Sequence, residues 1–158
     1  MFNPTPRFIC PLSQAWERQE QARGKLAKAA LPGNKTALFD ALATAGIVTV
    51  TVVFDGAGDS GQIEFIEPRG PGDVEVALPD VEVLYSRPYD DGSGIKTESR
   101  RLEQMIEMLC YDLLGETHSG WPNNDGAYGT FIFDVTQRTI ALDFNERFTE
   151  SENFQHAF

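Results

Sequence analysis

The sequence predicts a single α+β domain, residues 1–158, in which helices cover one face of an antiparallel sheet of about four or five strands. Three observations predict this fold. The chain has 158 residues, enough to bury one core without disulfides or structural metal. Apolar residues make up 41% of it, which is typical of a globular protein. Their spacing changes along the chain between helical and alternating, in the order α-α-β-β-β-α-β-β.

Residues 1–46 are predicted to form an N-terminal helical hairpin. Ser13 can cap a first helix that ends near Ala30, where the sequence Leu-Pro-Gly-Asn interrupts the pattern. Asn34 can cap a second helix, and Gly46 stands where a left-handed C-terminal residue is expected. The buried face of the second helix is predicted to consist of Leu38, Phe39, Leu42 and Ala45.

Residues 47–158 are predicted to hold the sheet and one packed helix, beginning with a β-hairpin. In the runs IVTVTVVF and QIEFIE, apolar residues alternate with others, as in half-buried strands. An antiparallel pairing of Phe54 with Ile63, and of Val52 with Phe65, aligns the two apolar faces. This register leaves the segment GAGDSG as the loop of the hairpin.

Three carboxylates surround this loop. The register makes Asp55 and Glu64 diagonal neighbours, with Asp59 above them. Carboxylates and loop carbonyls are ligands that Ca²⁺ and Mg²⁺ prefer, so the three residues are a candidate metal site. The EF-hand spacing does not fit, because the sixth position is Ser60 and not glycine. A structural turn, which the glycines and aspartates favour, a protein contact and a metal site stay open as interpretations.

Residues 72–95 are predicted to form one or two short edge strands followed by a flexible loop that carries Asp90 and Asp91. Thr97 can then cap a helix that runs to about Leu114. The apolar residues of this helix recur at helical spacing and are Leu102, Met105, Ile106, Leu109 and Leu113.

A second hairpin is predicted at the end of the sheet, with its turn at Thr136 and Gln137. Setting Asp134 opposite Thr139 gathers the aromatic and aliphatic residues on the core face. The opposite face is then polar and consists of Tyr128, Thr130, Asp143, Asn145 and Arg147. Asp143 and Asn145 are candidate binding residues, although a solvated sheet face would carry the same residue types.

Charge is unevenly distributed along the chain. The net charge is −11, from 24 acidic and 13 basic residues. Residues 1–46 hold six basic and three acidic residues, so all of the excess acidity lies in residues 47–158. Such a surface repels nucleic acid and anionic lipid, and it attracts a basic partner or a cation. Acidity also serves solubility alone, and that interpretation stays open.

Three segments in order, FDGAGDSGQIE, AYGTFIFDV and TIALDFNERFTESENFQHAF, resemble an uncharacterised family of small bacterial domains common on plasmids and other mobile elements. The resemblance covers about the last two thirds of the chain, from Val50 onward. It implies that the glycine–aspartate loop and the C-terminal hairpin are family features. It also implies an accessory, defence or counter-defence role, without assigning catalytic residues.

The sequence therefore favours a non-enzymatic acidic protein that binds a protein with a basic surface. One form of this hypothesis is an inhibitor that presents carboxylates where a nucleic-acid-acting defence complex accepts phosphates. The candidate binding residues are Asp55, Asp59, Glu64, Asp90, Asp91, Asp143 and Asn145. The alternative is a metal-dependent hydrolase or nuclease in which Asp55, Asp59 and Glu64 hold a cation that activates water.

We expect no cofactor other than Ca²⁺ or Mg²⁺ at that carboxylate cluster. We also expect no direct binding of nucleic acid and no membrane association, since no run approaches the ~18 apolar residues of a membrane span. The N-terminus lacks a signal-peptide pattern, and Cys10 and Cys110 form neither a metal pair nor a disulfide framework. These features predict a cytoplasmic protein.

Overall fold

The structure is a computed structural model that describes residues 11–158. Five strands form one antiparallel sheet, and two further strands form a separate two-stranded sheet. The predicted α+β fold with a single domain and an antiparallel sheet is confirmed. The elements in chain order are α1 (Pro11–Thr44), β1 (Thr49–Ala57), β2 (Ser60–Gly70), β3 (Val74–Glu75), β4 (Glu82–Pro88), β5 (Ile95–Arg101), α2 (Leu102–Thr117), β6 (Ala127–Asp134) and β7 (Thr139–Glu146). The strand order of the five-stranded sheet is β3-β2-β1-β6-β7, and β4 and β5 form the two-stranded sheet.

One face of the five-stranded sheet, which we call the inner face, is covered. Its fully buried side chains on β1 and β6 are Val50, Val52, Phe54, Phe131 and Phe133. They belong to one core with residues of α1, α2 and β4. The intervening residues of the same strands lie on the outer face, where side chains are half-buried or exposed. The alternation predicted from the sequence is thus confirmed on both strands.

The predicted helical hairpin is wrong for the part of residues 1–46 that the structure describes. α1 is one helix of 34 residues with Pro32 inside it. A proline in a helix interior removes a hydrogen bond and costs about 3 kcal/mol, so contacts outside the helix must offset it. The end of the helix is as predicted, because Gly46 has a φ of 74° and the Ile47 N–H donates to the Leu42 carbonyl at 3.0 Å.

Asn34 supplies one such outside contact. It was expected to cap a second helix, but its buried side chain lies against β4. The Asn34 Nδ2 donates to the Ser86 carbonyl, and the Asn34 Oδ1 accepts the Ser86 N–H, both at 2.8 Å. The amide thus pairs with the edge of β4 as a neighbouring strand would, and it fastens the middle of α1 to the second sheet.

The register of the first hairpin is confirmed near its tip and wrong beyond it. Phe54 faces Ile63 as predicted. A β-bulge next to Phe54 gives β2 one extra residue, so Phe65 pairs with Val53 and not with Val52. Bulges change which face the following residues occupy. Phe65 therefore lies on the outer face, where 48% of its surface is exposed.

The helix predicted from Thr97 begins at Leu102, and the residues before it form β5, which the sequence interpretation missed. β5 has no apolar alternation because ion pairs occupy one of its faces: Glu98 binds Lys96 at 3.2 Å and also contacts Arg100. Most of the predicted apolar face of α2 is confirmed, with Leu102, Met105, Ile106 and Leu109 buried.

The closing hairpin has the predicted register. Asp134 pairs with Thr139, Phe133 with Ile140 and Phe131 with Leu142. Arg138 closes the turn in the left-handed region, with a φ of 56°. Among the helices of residues 11–158, none combines the length and apolar character that crossing a bilayer requires.

Replacing Asn34 tests how α1 is held. Asn34→Ala leaves the Ser86 N–H and carbonyl without partners in a partly buried position, so we expect a loss of about 1–3 kcal/mol in the free energy of unfolding. The exposed Thr36→Ala, two residues further along α1, should change it by less than about 0.5 kcal/mol. Urea unfolding followed by circular dichroism measures both. Equal effects would show that the Asn34 contact is not what holds the helix.

Alkaline pH should destabilise the protein. Burial raises the pKa of the Tyr85 hydroxyl and of the Cys110 thiol above their ordinary values, and the hydrogen bond to Asp112 contributes at Tyr85. In the unfolded chain the Cys110 thiol loses its proton near pH ~8.5 and the Tyr85 hydroxyl near pH ~10, whereas the folded chain keeps both protons. Stability is therefore complete below about pH 8.5 and falls as the pH rises. The urea midpoint measured from pH 7 to 10.5 should decline, less so in Cys110→Ala, and a flat profile would contradict the assignment.

Candidate functional site

The tip of the β1–β2 hairpin is held by the loop that follows α2. Trp121 of this loop lies across Gly56 and Gly61, which face each other in the sheet. A Cβ on Gly56 would lie 2.6 Å from the Trp121 ring, and one on Gly61 would lie closer still. The indole also meets Phe54 edge to face, with ring centroids 5.4 Å apart. The two glycines therefore form the surface on which the indole packs.

The glycine–aspartate loop is a tight turn. Its two central residues, Gly58 and Asp59, have φ values of 60° and 67°, as a two-residue hairpin turn requires. Their N–H groups donate to the carbonyls of Asn124 and Pro122 at 3.1 and 3.0 Å. The loop is thus shorter than predicted, and its backbone is bonded to the segment that carries Trp121.

On the outer face at the same end of the sheet, Asp55 forms an ion pair with Arg147. The two Arg147 nitrogens lie 2.9 and 3.1 Å from the two carboxylate oxygens, a bidentate arrangement. The guanidinium lies over the Tyr128 ring, 4.6 Å from its centroid. Hydrogen bonding to Asp55 raises the pKa of Arg147 above the ordinary value of an arginine. The side chain of Arg147, the residue that follows β7, thus crosses β6 to reach β1.

The other predicted binding residues occupy two separate places. Asp143 and Asn145 lie on β7 on the outer face, opposite Thr130 and Tyr128. Asp90 and Asp91 lie on the loop between β4 and β5, outside the five-stranded sheet. Asp91 has a local role there, since its Oδ1 accepts the Ser93 N–H at 2.9 Å, and the hydrogen bonds from Ser93 lower the pKa of Asp91.

The three carboxylates of the candidate metal site have different surroundings. Asp55 is engaged by Arg147, and Glu64 accepts a hydrogen bond from Gln62 at 3.3 Å. Asp59 takes part in the turn through its backbone. In residues 11–158, no group of three or more His, Cys, Asp and Glu side chains has an arrangement that could hold a metal ion. Binding of Ca²⁺ or Mg²⁺ stays a prediction.

The outer face as a whole is an open surface with an apolar centre. Phe65, Tyr128 and Ile132 are 48%, 45% and 46% exposed. The register also places polar groups around them. We use "outer face" for the residues of the five strands on this side of the sheet together with Arg147, which follows β7: Gln62, Phe65, Glu67, Arg69, Glu75, Thr49, Thr51, Val53, Asp55, Tyr128, Thr130, Ile132, Asp134, Thr139, Ala141, Asp143, Asn145 and Arg147.

A cavity of about 540 Å³ lies elsewhere, between α1, β4 and α2. Its wall carries both signs of charge, including Arg87 and Glu116. The buried polar side chains of the wall, Asn34 and Tyr85, bond to groups of the protein itself, Ser86 and Asp112. The buried polar side chains of the cavity wall therefore hold the fold together. None of the predicted binding residues lines the cavity.

Comparison with protein families assigns the chain to one of them. The sequence model of a family of unknown function, DUF6878, matches residues 30–158. The chain belongs to the DUF6878 family. No curated protein and no solved structure matches it. The DUF6878 match begins at Ala30, which is the first buried residue of α1 among residues 13–44. The match includes the whole outer face, Trp121 and the glycines beneath it.

The sequence interpretation missed the role of two residues of this DUF6878 domain. Trp121 had a signal: Gly56 and Gly61, which the prediction left in the loop, lie opposite each other when the predicted register is continued by one pair, and glycine in a strand often marks the close approach of another group. Arg147 was placed on the correct face but not paired with Asp55. Its partner is 92 residues away, and no pattern in the sequence predicted that β1 pairs with β6.

Filling the space beneath the indole tests this contact. In Gly61→Ala the new Cβ displaces Trp121, so we expect a loss of about 1–3 kcal/mol in stability and a red shift of indole fluorescence. A Trp16→Phe background isolates the signal of Trp121. The control is Gly115→Ala in α2, where a Cβ meets nothing within 4 Å and should stabilise the helix by about 0.5–1 kcal/mol. An unshifted Gly61→Ala spectrum would refute the packing.

Proposed function

We propose that this protein is a binding protein, rather than an enzyme, and that its outer face docks a basic surface of another protein. The observation that carries the proposal is the exposed apolar centre formed by Phe65, Tyr128 and Ile132. Exposed apolar patches rimmed by polar residues mark interaction sites, whereas singly scattered apolar residues do not. Phe65 lies on β2, and Tyr128 and Ile132 lie on β6; Val53 of β1, which pairs with Phe65, lies between the two strands on the same face. Polar residues of this face surround them.

The charge of the outer face supports a basic partner. It carries five carboxylates, which belong to Asp55, Glu67, Glu75, Asp134 and Asp143. Its two cations, Arg69 and Arg147, both lie within 4 Å of carboxylates of the same face. The face is therefore negative overall, and complementary charge on a partner would steer the encounter and set the orientation of docking.

The Asp55–Arg147 pair suits an interface because its geometry is already formed. Tyrosine and arginine are the residue types that, with tryptophan, most often dominate binding energy. Here the bidentate ion pair and the Tyr128 ring hold the arginine in one position before any partner arrives. A group that is ordered in advance loses less conformational entropy on binding.

The finer form of the proposal is an inhibitor encoded on a mobile element. In it, the outer-face carboxylates take the place of nucleic acid phosphates on the basic surface of a nucleic-acid-acting defence protein. The support for this form is the net charge of −11 and the excess of carboxylates on the open face. It requires that DNA and this protein compete for the same surface of the partner.

Site-specific photo-crosslinking tests the docking surface. A crosslinking amino acid at Ile132, in the centre of the outer face, should capture a basic protein in the native cell. The matched control is Leu84 on β4, which is 64% exposed and lies on the other sheet. The captured partner should bind more weakly as salt rises, because screening shortens the reach of charges to ~10 Å at 0.1 M. Added DNA should displace it.

Two variants sharpen this test. Ile132→Ser should weaken binding mainly through faster dissociation, and Asp143→Lys mainly through slower association. Asp90→Lys, on the β4–β5 loop, serves as the charge control and should have little effect. A partner captured equally from Leu84, or bound with the same affinity at low and high salt, would overturn the proposal. A salt-sensitive partner that DNA does not displace would overturn the inhibitor form alone.

A further inference from the structure

One long edge of the five-stranded sheet is open. β7 pairs with β6 on one side, and no strand of residues 11–158 pairs with its other side. The Arg147 N–H donates to the Gly126 carbonyl at 2.9 Å, which sets the alternation of peptide groups along the strand. Ile140, Leu142 and Phe144 therefore present their N–H and carbonyl groups to the open edge.

This edge lacks the features that usually prevent strands from pairing. Natural edge strands are short or carry proline, lysine or a bulge. β7 has eight residues, TIALDFNE, with neither proline nor lysine, and its pairing with β6 is regular. By contrast, the opposite edge of the sheet is β3, which has two residues.

The core is also incompletely covered along β7. The side chains of Ile140, Leu142 and Phe144 point to the inner face and pack against the core, but they are only half-buried. A second strand beside β7 would cover this apolar margin and satisfy the peptide groups at the same time. A partner strand that is apolar on its inner face would do both.

We propose that β7 is the interface of a homodimer in which two copies of β7 pair antiparallel, with Leu142 on the two-fold axis. In this register Ile140 faces Phe144 of the partner subunit, and Leu142 faces its own copy. The peptide groups of Ile140, Leu142 and Phe144 point to the open edge, so each of these residues exchanges both of its backbone hydrogen bonds with the residue opposite it. On the outer face, Ala141 lies opposite Asp143 of the partner subunit.

Other registers are less favourable. A shift by one residue would place inward side chains of one copy beside outward side chains of the other. A shift by two in one direction would set Asp143 opposite Asp143 of the partner subunit, and like charges directly opposite each other destabilise a sheet. A shift by two in the other direction would set Phe144 opposite Arg138 of the partner subunit, which lies in the turn and not in the strand.

The homodimer pairs the backbone edge of β7, whereas the docking of a basic protein centres on Phe65, Tyr128 and Ile132; only the outer-face residues of β7 border both, so each interaction can fail without the other. Pairing at the edge leaves the outer face exposed on both copies. The two interactions also respond to salt with opposite signs. Each copy carries a net charge of −11, so screening should strengthen the dimer, whereas it should weaken the binding of a basic partner.

A pair of charge variants at one exposed position tests the homodimer. Ala141→Glu places a carboxylate opposite Asp143 of the partner subunit, and Ala141→Lys places a cation there. Because the symmetric dimer contains this contact twice, we expect the dimer dissociation constant to rise about fivefold in the first variant and to fall about fivefold in the second. Sedimentation equilibrium at 0.15 and 0.5 M salt measures the constant, and circular dichroism checks that both variants fold.

The response of the dimer to the two Ala141 variants and to salt decides the proposal. A dimer that Ala141→Glu weakens and Ala141→Lys strengthens, and that tightens with salt, supports the interface. A protein that stays monomeric up to about 1 mM at 0.5 M salt overturns it. A dimer that responds equally to both variants, or to neither, overturns it as well, because its interface then lies elsewhere or has another register.

Discussion

The absence of side chains at one corner of the sheet is the constraint on which the rest of the structure depends. Gly56 and Gly61 leave room for the Trp121 ring, and Gly126 passes so close to the Gly56 carbonyl that a Cβ there would collide with it. The same carbonyl accepts a hydrogen bond from Arg147 at 3.2 Å. Any side chain at these glycines would separate the loop after α2 from the sheet, because protein interiors have almost no free space to absorb it.

This corner orders both faces of the sheet. On the inner face it completes an aromatic cluster in which Phe54 contacts Trp121 and Phe144, and His118 stacks on Phe144 at 3.7 Å. On the outer face it positions Arg147 over Tyr128 and against Asp55. Ion pairs at partly exposed positions contribute little to stability. The main effect of the Asp55–Arg147 pair is therefore to fix the orientation of the Arg147 side chain on the outer face.

The extent of the family match agrees with this view of the fold. The three segments that carried the resemblance meet at the corner, since they contain Gly56, the start of β6 and Arg147. The match excludes the whole first half of α1, where the side chains of residues 13–27 are largely exposed and Trp16 is 63% exposed. Residues 30–44 of α1 lie inside the match, and they pack on the core and hold β4 through Asn34.

Local sequence determined the strands and turns whose causes lie within a few residues. Alternation placed Phe54, Phe131 and Phe133 on the inner face, and Gly46 ended α1, because side-chain period and backbone freedom act locally. The open outer face with Asp143 and Asn145 followed from the same alternation.

Only the tertiary structure decided the features that join distant residues. α1 continues through Pro32 because Asn34 binds a strand 52 residues away. β5 is a strand because β4 pairs with it, although its own residues have no apolar alternation. Asp55 forms an ion pair with Arg147 that the sequence did not predict, because β6 lies between β1 and β7 and brings Arg147 within reach. Such pairings depend on which strands become neighbours, and the periodicity of each segment carries no information about its neighbour.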